Sequence, residues 1–558
     1  MPSAENAPFT GARLLVAQLA LHGVDRIFCV PGESYLAVLD ALVDVPQIAV
    51  VTCRQEGGAA MMAEAYGKLT GRPGIAFVTR GPGATNASAG VHVAHQDSTP
   101  LILFIGQIER AATGRGAFQE VDYSAMFGPL AKWAAQIEDG ARIPELVSRA
   151  FHTATAGRPG PVVLALPEDM LMDGVEPQAA RPYRAAQAHL APEDAQEIGG
   201  ALAAAQRPVV IVGGGGWSQA ASADAGAFAQ AWDLPLIAAF RCNDYIDNAH
   251  PNYVGNLGLG PNPDLVAAVR GADLILAVGA RFGEVTSAGY GLLAIPDPAQ
   301  NLIQIHAEPA ELGRIYQPDL AYVANATSSF ARLKALEAPV ARPWAGAREA
   351  LRSSFLAWTT PPAIPGALQM GAVMEVLRAR LPADAILANG AGNFAIWPNR
   401  FHRYCGFGTM LAPTSGSMGY GLPAAVAAKL QFPDRTVVAF VGDGDFLMTG
   451  QELATAMKED AAIVVLLVNN GMYGTIRMHQ EREYPRRVSA TTLANPDFVQ
   501  YARAFGAYGE RVERTEEFEP ALDRALACGR SAILELMLDP DVLSPTLTIS
   551  ALRAKAGA

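Results

Sequence analysis

Short β-branched runs that open into glycine-rich turns and then alanine-rich helices recur along this chain, and that rhythm fixes the class of fold. Residues 48–52 lead into a helical pattern over 57–69, 74–79 lead into 84–95, and 101–105 follow as another buried run. Strands that alternate with helices pair in parallel, because each helix carries the chain back to the same end of the sheet. Of 558 residues, 50% are hydrophobic and only 17% charged, enough apolar surface for several cores. Disorder and coiled coil are excluded as descriptions of the whole.

Two composition shifts divide the chain. A polar stretch with little periodicity, 173–191, follows the strand pattern at 162–166, and a Pro- and Ala-rich segment spans 339–365. Between them lie strand patterns at 209–212, 234–238, 274–278 and 302–305. A third block carries a helix over 372–381 and strands at 385–388, 436–441, 462–468 and 532–536. The expectation is an α/β protein of three doubly wound parallel-sheet domains, 1–180, 190–340 and 365–558.

The charge balance of 42 basic against 54 acidic residues, net −12, argues against a nucleic-acid partner, which needs a basic face. The longest apolar run, 461–468, falls far short of the roughly 18–20 residues of a membrane span. The amino terminus lacks a basic leader. Cys29, Cys53, Cys242, Cys405 and Cys528 are odd in number, far apart and without a CxxC, so neither a disulfide framework nor a zinc site is expected. These readings point to the cytoplasm.

Four motifs carry chemistry. Gly442-Asp443-Gly444 closes one strand pattern and Asn469-Asn470 closes another, a separation that fits one strand–helix–strand crossover. Both then stand at carboxyl ends of parallel strands, where open α/β sheets bind ligands. A carboxylate and an amide oxygen there suit Mg²⁺, which completes its octahedron with phosphate oxygens and water. Arg54-Gln55-Glu56 turns from strand into helix, and an acid in that place also complements the helix dipole. Thr79-Arg80-Gly81-Pro82-Gly83 is a tight turn or a loop that approaches a ligand. Ser415-Gly416-Ser417-Met418-Gly419 offers main-chain N–H groups to a phosphate, or packs a helix against a strand.

Taken together, these residues resemble the thiamine-diphosphate-dependent 2-oxoacid enzymes, most closely their acetolactate synthase-like branch, over nearly the whole chain. The resemblance implies a pyrimidine-binding domain, a central Rossmann-like domain and a diphosphate-binding domain, in that order. It implies thiamine diphosphate and Mg²⁺ held between subunits, so a homodimer is the minimum active unit and a homotetramer the expected assembly. Glu56 matches the glutamate that shares a proton with N1′ of the aminopyrimidine. Asp443 and Asn470 match the Mg²⁺ ligands, with the Met472 carbonyl as the third. The Gly416 carbonyl matches the acceptor of the 4′-amino group, and Met418 the apolar prop under the bent cofactor. Gly442, Gly444, Asp445 and Tyr473 fall in the same cofactor-binding segments. Phe118-Gln119-Glu120 matches a run of acetolactate synthases in which Gln119 faces the reaction centre, and Pro31-Gly32-Glu33-Ser34 the loop of the substrate pocket; Phe118, Gln119 and Glu33 therefore join Glu56 as catalytic candidates.

The thiazolium supplies the electron sink that a 2-oxoacid needs in order to lose CO₂. The implied activity is decarboxylation of a pyruvate-like 2-oxoacid with carboligation to a second carbonyl. A plain decarboxylase, an acyl-CoA lyase, a carbon–carbon hydrolase and a non-catalytic homologue are the alternatives. His479 stands where acetolactate synthases carry a tryptophan, and Arg281-Phe282-Gly283-Glu284 lacks their substrate-binding arginine, which leaves Arg477 and Arg80 as candidates for a carboxylate. Gly213-Gly214-Gly215-Gly216 looks dinucleotide-like, but Ser218 takes the third glycine of GxGxxG and His306 replaces an acidic residue, so FAD is not favoured.

Overall fold

Eighteen of the strands collect into three six-stranded parallel sheets in the computed structural model, which describes residues 9–178 and 180–556. The first contains β1 (Arg26–Cys29), β2 (Ala49–Thr52), β3 (Gly74–Val78), β4 (Leu101–Gln107), β5 (Trp133–Gln136) and β6 (Pro161–Pro167), in the order β2-β1-β3-β4-β6-β5. The second contains β7 (Pro208–Val212), β8 (Leu236–Ala239), β9 (Tyr253–Leu257), β10 (Leu274–Val278), β11 (Asn301–His306) and β12 (Leu320–Val323), in the order β12-β11-β10-β7-β8-β9. The third contains β13 (Ile386–Asn389), β14 (Met410–Leu411), β15 (Val437–Gly442), β16 (Val464–Asn469), β17 (Tyr508–Val512) and β18 (Ala532–Met537), in the order β14-β13-β15-β16-β18-β17.

The first and third sheets thus share one topology, although no repeat announces it in the sequence. Their strand order reverses between β1 and β3, and again between β13 and β15. Such switch points open a crevice at the carboxyl ends of the strands. The second sheet has the dinucleotide-fold order, with its switch point between β7 and β10.

Local sequence explains the elements. β3, β4, β6 and β7 are buried along their whole length, as strands covered by helices on both faces must be. The helix Pro82–Asp97 starts two residues before the sequence pattern suggests, because Pro82 is suited to the first helical turn. It stops where Ser98 turns left-handed, at φ 59°. The helix Glu56–Thr70 ends on Gly71 at φ 68°, the usual glycine stop.

Two compact units result. One comprises Met1–Ala186, Val426–Gln431 and Gln451–Glu459 around the first sheet; the other comprises Gln187–Ala425, Phe432–Gly450 and Asp460–Ala558, with the second and third sheets. Phe77, Phe104 and Phe151 lie in the core of the first, Trp232 and Phe330 in that of the second sheet, and Trp397 and Phe440 in that of the third. No helix among the described residues is long and apolar enough to cross a membrane.

Candidate active site

A cavity of about 240 Å³ opens at the carboxyl ends of the third sheet. β15 pairs with β16 so that Gly442 stands opposite Val468. The residues that follow, Asp443 and Asn469-Asn470, therefore leave the sheet side by side. Asp443 is 3% exposed. One of its carboxylate oxygens accepts from the Gly444 N–H at 2.9 Å, the other from the Gly471 N–H at 2.9 Å and the Asn495 side chain at 2.7 Å. Burial pushes its carboxyl up from the ordinary range, and the hydrogen bonds oppose that rise. A cation in the cavity would favour the charged form.

Asn470, Met472, Gly416, Met418, Gly442, Gly444, Asp445 and Tyr473 line the same cavity, so the structure brings together every diphosphate-side residue named from sequence. Gly444 is a cradle with no room for a side chain: a Cβ there would stand 2.5 Å from the Tyr473 ring. Among the described residues, no group of three or more His, Cys, Asp or Glu side chains could hold a metal ion. The oxygen-bearing side chains here are instead the carboxylates of Asp443 and Asp445 and the amides of Asn393 and Asn470, beside the main chain. That mixed oxygen set fits Mg²⁺ with phosphate, and fits no thiolate or imidazole metal.

Asp445 does more than line the cavity. It is buried, and one oxygen accepts the main-chain N–H groups of Gly419 at 2.8 Å and Ala391 at 3.2 Å. Its second oxygen has no hydrogen-bond partner among the described residues. Burial pushes this carboxyl up to about 7. Asn393, Phe394 and Trp397, which sequence reasoning missed, complete the wall. Their signal was the Gly390-Ala391-Gly392-Asn393 turn that closes β13, the same kind of strand-closing turn as Gly442-Asp443-Gly444.

The other candidates lie at the carboxyl ends of the first sheet. Glu56 opens its helix behind Gln55, whose side chain accepts the Gly58 N–H at 2.8 Å. The Glu56 carboxylate is half-buried and accepts from Asn86 at 3.0 Å. Glu33 follows β1 and pairs with Arg80 at 3.1 Å, while Arg80 also meets Glu168 at 3.0 Å. Gln119 adopts the left-handed region at φ 64° and presses on Gly81, where a Cβ would stand 2.7 Å from its own. Phe118 beside it is 74% exposed. Arg80 and Arg477, the candidates for a substrate carboxylate, are both engaged: Arg477 pairs with Glu481 at 2.9 Å.

The glycine run of the second sheet is filled by the chain itself. Gly214 turns left-handed, at φ 75°, and a Cβ there would stand 2.0 Å from the Gly279 carbonyl oxygen. The Trp217 indole N–H donates to the Gly213 carbonyl at 2.8 Å, and the Tyr245 hydroxyl to that of Gly214 at 2.6 Å. The two rings pack at 4.9 Å. Ser218, in place of a glycine, caps the following helix by accepting the Ala221 N–H. This packing occupies the Gly213 and Gly214 carbonyls with the chain's own donors.

Comparison with known proteins matches three segments of the chain. Residues 9–126 match the family described as thiamine pyrophosphate enzyme, N-terminal TPP binding domain; 195–333 match its central domain and 390–536 its C-terminal TPP binding domain. The chain is 33% identical over 551 residues to the acetolactate synthase isozyme 2 large subunit of Escherichia coli, covering 95% of each. It is 33% identical over 539 residues to an acetolactate synthase large subunit of Mycobacterium tuberculosis, covering 93% of this chain and 86% of that one. To the acetolactate synthase large subunit of Lactococcus lactis it is 31% identical over 521 residues, 89% and 87% of the two chains.

Proposed function

The chain belongs to the thiamine pyrophosphate enzymes, in their acetolactate synthase-like branch, and on that footing we propose that it decarboxylates a pyruvate-like 2-oxoacid and ligates the remaining fragment to a second carbonyl. The observation that carries the reading is that Asp443 and Asn470, just beyond the adjacent ends of β15 and β16, line one cavity with Gly416 and Met418. Asp443, Asn470 and the Met472 carbonyl would hold Mg²⁺ on the diphosphate, and the Gly416 carbonyl would accept from the aminopyrimidine. The cofactor supplies the electron sink for decarboxylation.

The chain's own part is positioning and one hydrogen bond. Glu56, fixed at the first turn of its helix and bonded to Asn86, would hydrogen-bond N1′ of the bound aminopyrimidine. Met418 and Tyr473 line the same cavity, where Met418 would be the apolar prop under the bound cofactor. Gln119, held in a strained backbone geometry against Gly81, is the group we assign to the acceptor side, with its neighbour Phe118 and the Arg80-paired Glu33 as further candidates. Neither FAD nor a nucleic acid has a part in this reading. A cytoplasmic setting suits five cysteines that no disulfide joins. The assembly is a homodimer at least and a homotetramer by expectation, which light scattering measures.

The test is a panel of 2-oxoacids incubated with thiamine diphosphate and Mg²⁺, with and without an aldehyde acceptor, following CO₂ and product identity. Carboligated product is expected; aldehyde alone would make the chain a plain decarboxylase. Glu56→Gln should slow exchange of the cofactor C2 proton by ~10²–10⁴-fold while leaving cofactor affinity near its original value, the usual worth of acid–base assistance. Unchanged exchange would remove Glu56 from the mechanism.

A further inference from the structure

The loop that leaves β8 reaches beyond its own sheet. Arg241, Asn243 and Asp244 all reach the third sheet. The Arg241 guanidinium donates to the Pro413 carbonyl at 2.6 Å and to the Gly390 carbonyl at 3.1 Å. Asp244, buried, accepts three successive main-chain N–H groups, from Gly408 at 2.9 Å, Thr409 at 3.1 Å and Met410 at 3.2 Å, at the start of β14. The Asn243 side chain donates to the Asn399 carbonyl at 3.1 Å.

The two carbonyls that Arg241 takes belong to the two loops that Asp445 ties through their N–H groups. Gly390 precedes Ala391, and Pro413 precedes the 414–419 loop that ends on Gly419. One cation from the second sheet thus holds these loops by their oxygens, and one anion from the third sheet holds them by their nitrogens. Both loops line the cavity, through Ala391, Gly392 and Asn393 on one side and Gly416 and Met418 on the other. Arg241 itself stands in the left-handed region, at φ 58°, which an arginine occupies only where its surroundings over-determine it.

We propose that Arg241 is a positioning residue for the cofactor site: it clamps the 389–393 and 413–419 loops against each other, so that the Gly416 carbonyl and the Met418 side chain are presented before any ligand arrives. The assignment rests on the reading of that cavity as the thiamine diphosphate site. It gives the second sheet a part in shaping the cofactor site, through the loop that leaves β8.

The test compares the full-length protein with Arg241→Met and Arg241→Lys. Hydrogen exchange is read first without cofactor, on peptides that cover 389–393 and 413–419. Both loops should exchange ~10-fold or more faster in Arg241→Met and by an intermediate amount in Arg241→Lys, because one ammonium cannot reach two carbonyls as a planar guanidinium does. Thiamine diphosphate is then titrated at saturating Mg²⁺. Its half-saturation should rise ~10–100-fold in Arg241→Met, the scale of lost outer-layer support, with a smaller change in kcat at saturation. Unaltered loop exchange together with half-saturation within twofold overturns the clamp. If Arg241→Met does not fold, Arg241→Lys decides by the same two readouts. A wild-type protein that binds no thiamine diphosphate would fell the functional reading, while the exchange comparison would still judge Arg241.

Discussion

Glu452 accepts the main-chain N–H of Gln55 at 2.8 Å, across 397 residues of sequence. The same oxygen takes the Arg54 N–H at 3.0 Å, and its twin accepts from the Thr455 hydroxyl at 2.6 Å. Gln55 caps the helix that Glu56 opens, so this buried carboxylate sets the corner from which the proposed N1′-bonding side chain is aimed. Gly58 is required at the same place: a Cβ there would stand 2.8 Å from the Glu452 carboxylate. Glu56 therefore owes its direction to a residue near the far end of the chain.

Glu452→Ala should destabilise the protein by about 1–3 kcal/mol, because it leaves the partly buried Arg54 and Gln55 N–H groups without this acceptor. Glu452→Gln keeps an acceptor oxygen and removes a charge that burial disfavours, since burial pushes this carboxyl up from its usual range. It should cost no more than about 1 kcal/mol. Urea unfolding of the two variants separates them; equal losses would show that charge, and not the acceptor, matters at this corner.

Asn495 is the second long-range support. Its side-chain nitrogen bridges Asp443 at 2.7 Å and Asn469 at 3.0 Å. Asn495→Ala should weaken Mg²⁺ binding ~10–100-fold at fixed thiamine diphosphate, as loss of a ligand's outer support does. Asp443→Ala should abolish Mg²⁺-dependent cofactor retention in calorimetry. If Asn495→Ala titrates like the wild type, the bridge does not orient Asp443.

These two residues show where sequence reading stops. Gly442-Asp443-Gly444, Asn469-Asn470 and the Gly416–Met418 segment were legible because each closes a strand or opens a helix, and turn chemistry leaves a local mark. The three sheets were legible for the same reason: buried parallel strands are continuous apolar runs. Glu452 and Asn495 leave no such mark. Each acts through hydrogen bonds to residues that only folding brings near, and a glutamate ahead of an alanine-rich helix looks like any surface acid. The shared topology of the first and third sheets was hidden too, since strand order depends on pairing and not on spacing. Arg80 read as a free cation in the sequence, whereas Glu33 and Glu168 already hold it.

Trp217→Ala should cost about 3–5 kcal/mol, as large-to-small changes of buried aromatic residues do. The indole fills the glycine loop of the second sheet, bonds to the Gly213 carbonyl and packs on Tyr245 and Phe330. Denaturant unfolding followed by circular dichroism measures the loss. A cost below about 1 kcal/mol would mean that the loop closes over the gap and does not depend on the ring.

Glu481 should make the carboxyl-terminal helix sensitive to acid. Its carboxylate, 1% exposed, accepts from Arg553 at 2.6 and 2.9 Å, from Arg477 at 2.9 Å and from the Arg486 N–H at 3.0 Å. The Arg553 hydrogen bonds chiefly hold its pKa down, at about 2 against an ordinary value of 4.5. A carboxyl lowered in the folded state stabilises that state above the ordinary value, and the contribution fades as pH falls from 4.5 through about 2. Discounted for the partly exposed arginine, it is worth about 2 kcal/mol. The helix Ile549–Ala556 should therefore stay docked at pH 5 and become cleavable by an acid-active protease as pH approaches 2. Arg553→Ala should release it already at neutral pH. Leu543, which lines the cavity, packs with Ile549 and Leu552 of that helix, so the same variant should also raise the half-saturation for thiamine diphosphate. Cleavage of Arg553→Ala no faster than wild type at pH 7 would show that the apolar contacts alone hold the helix down.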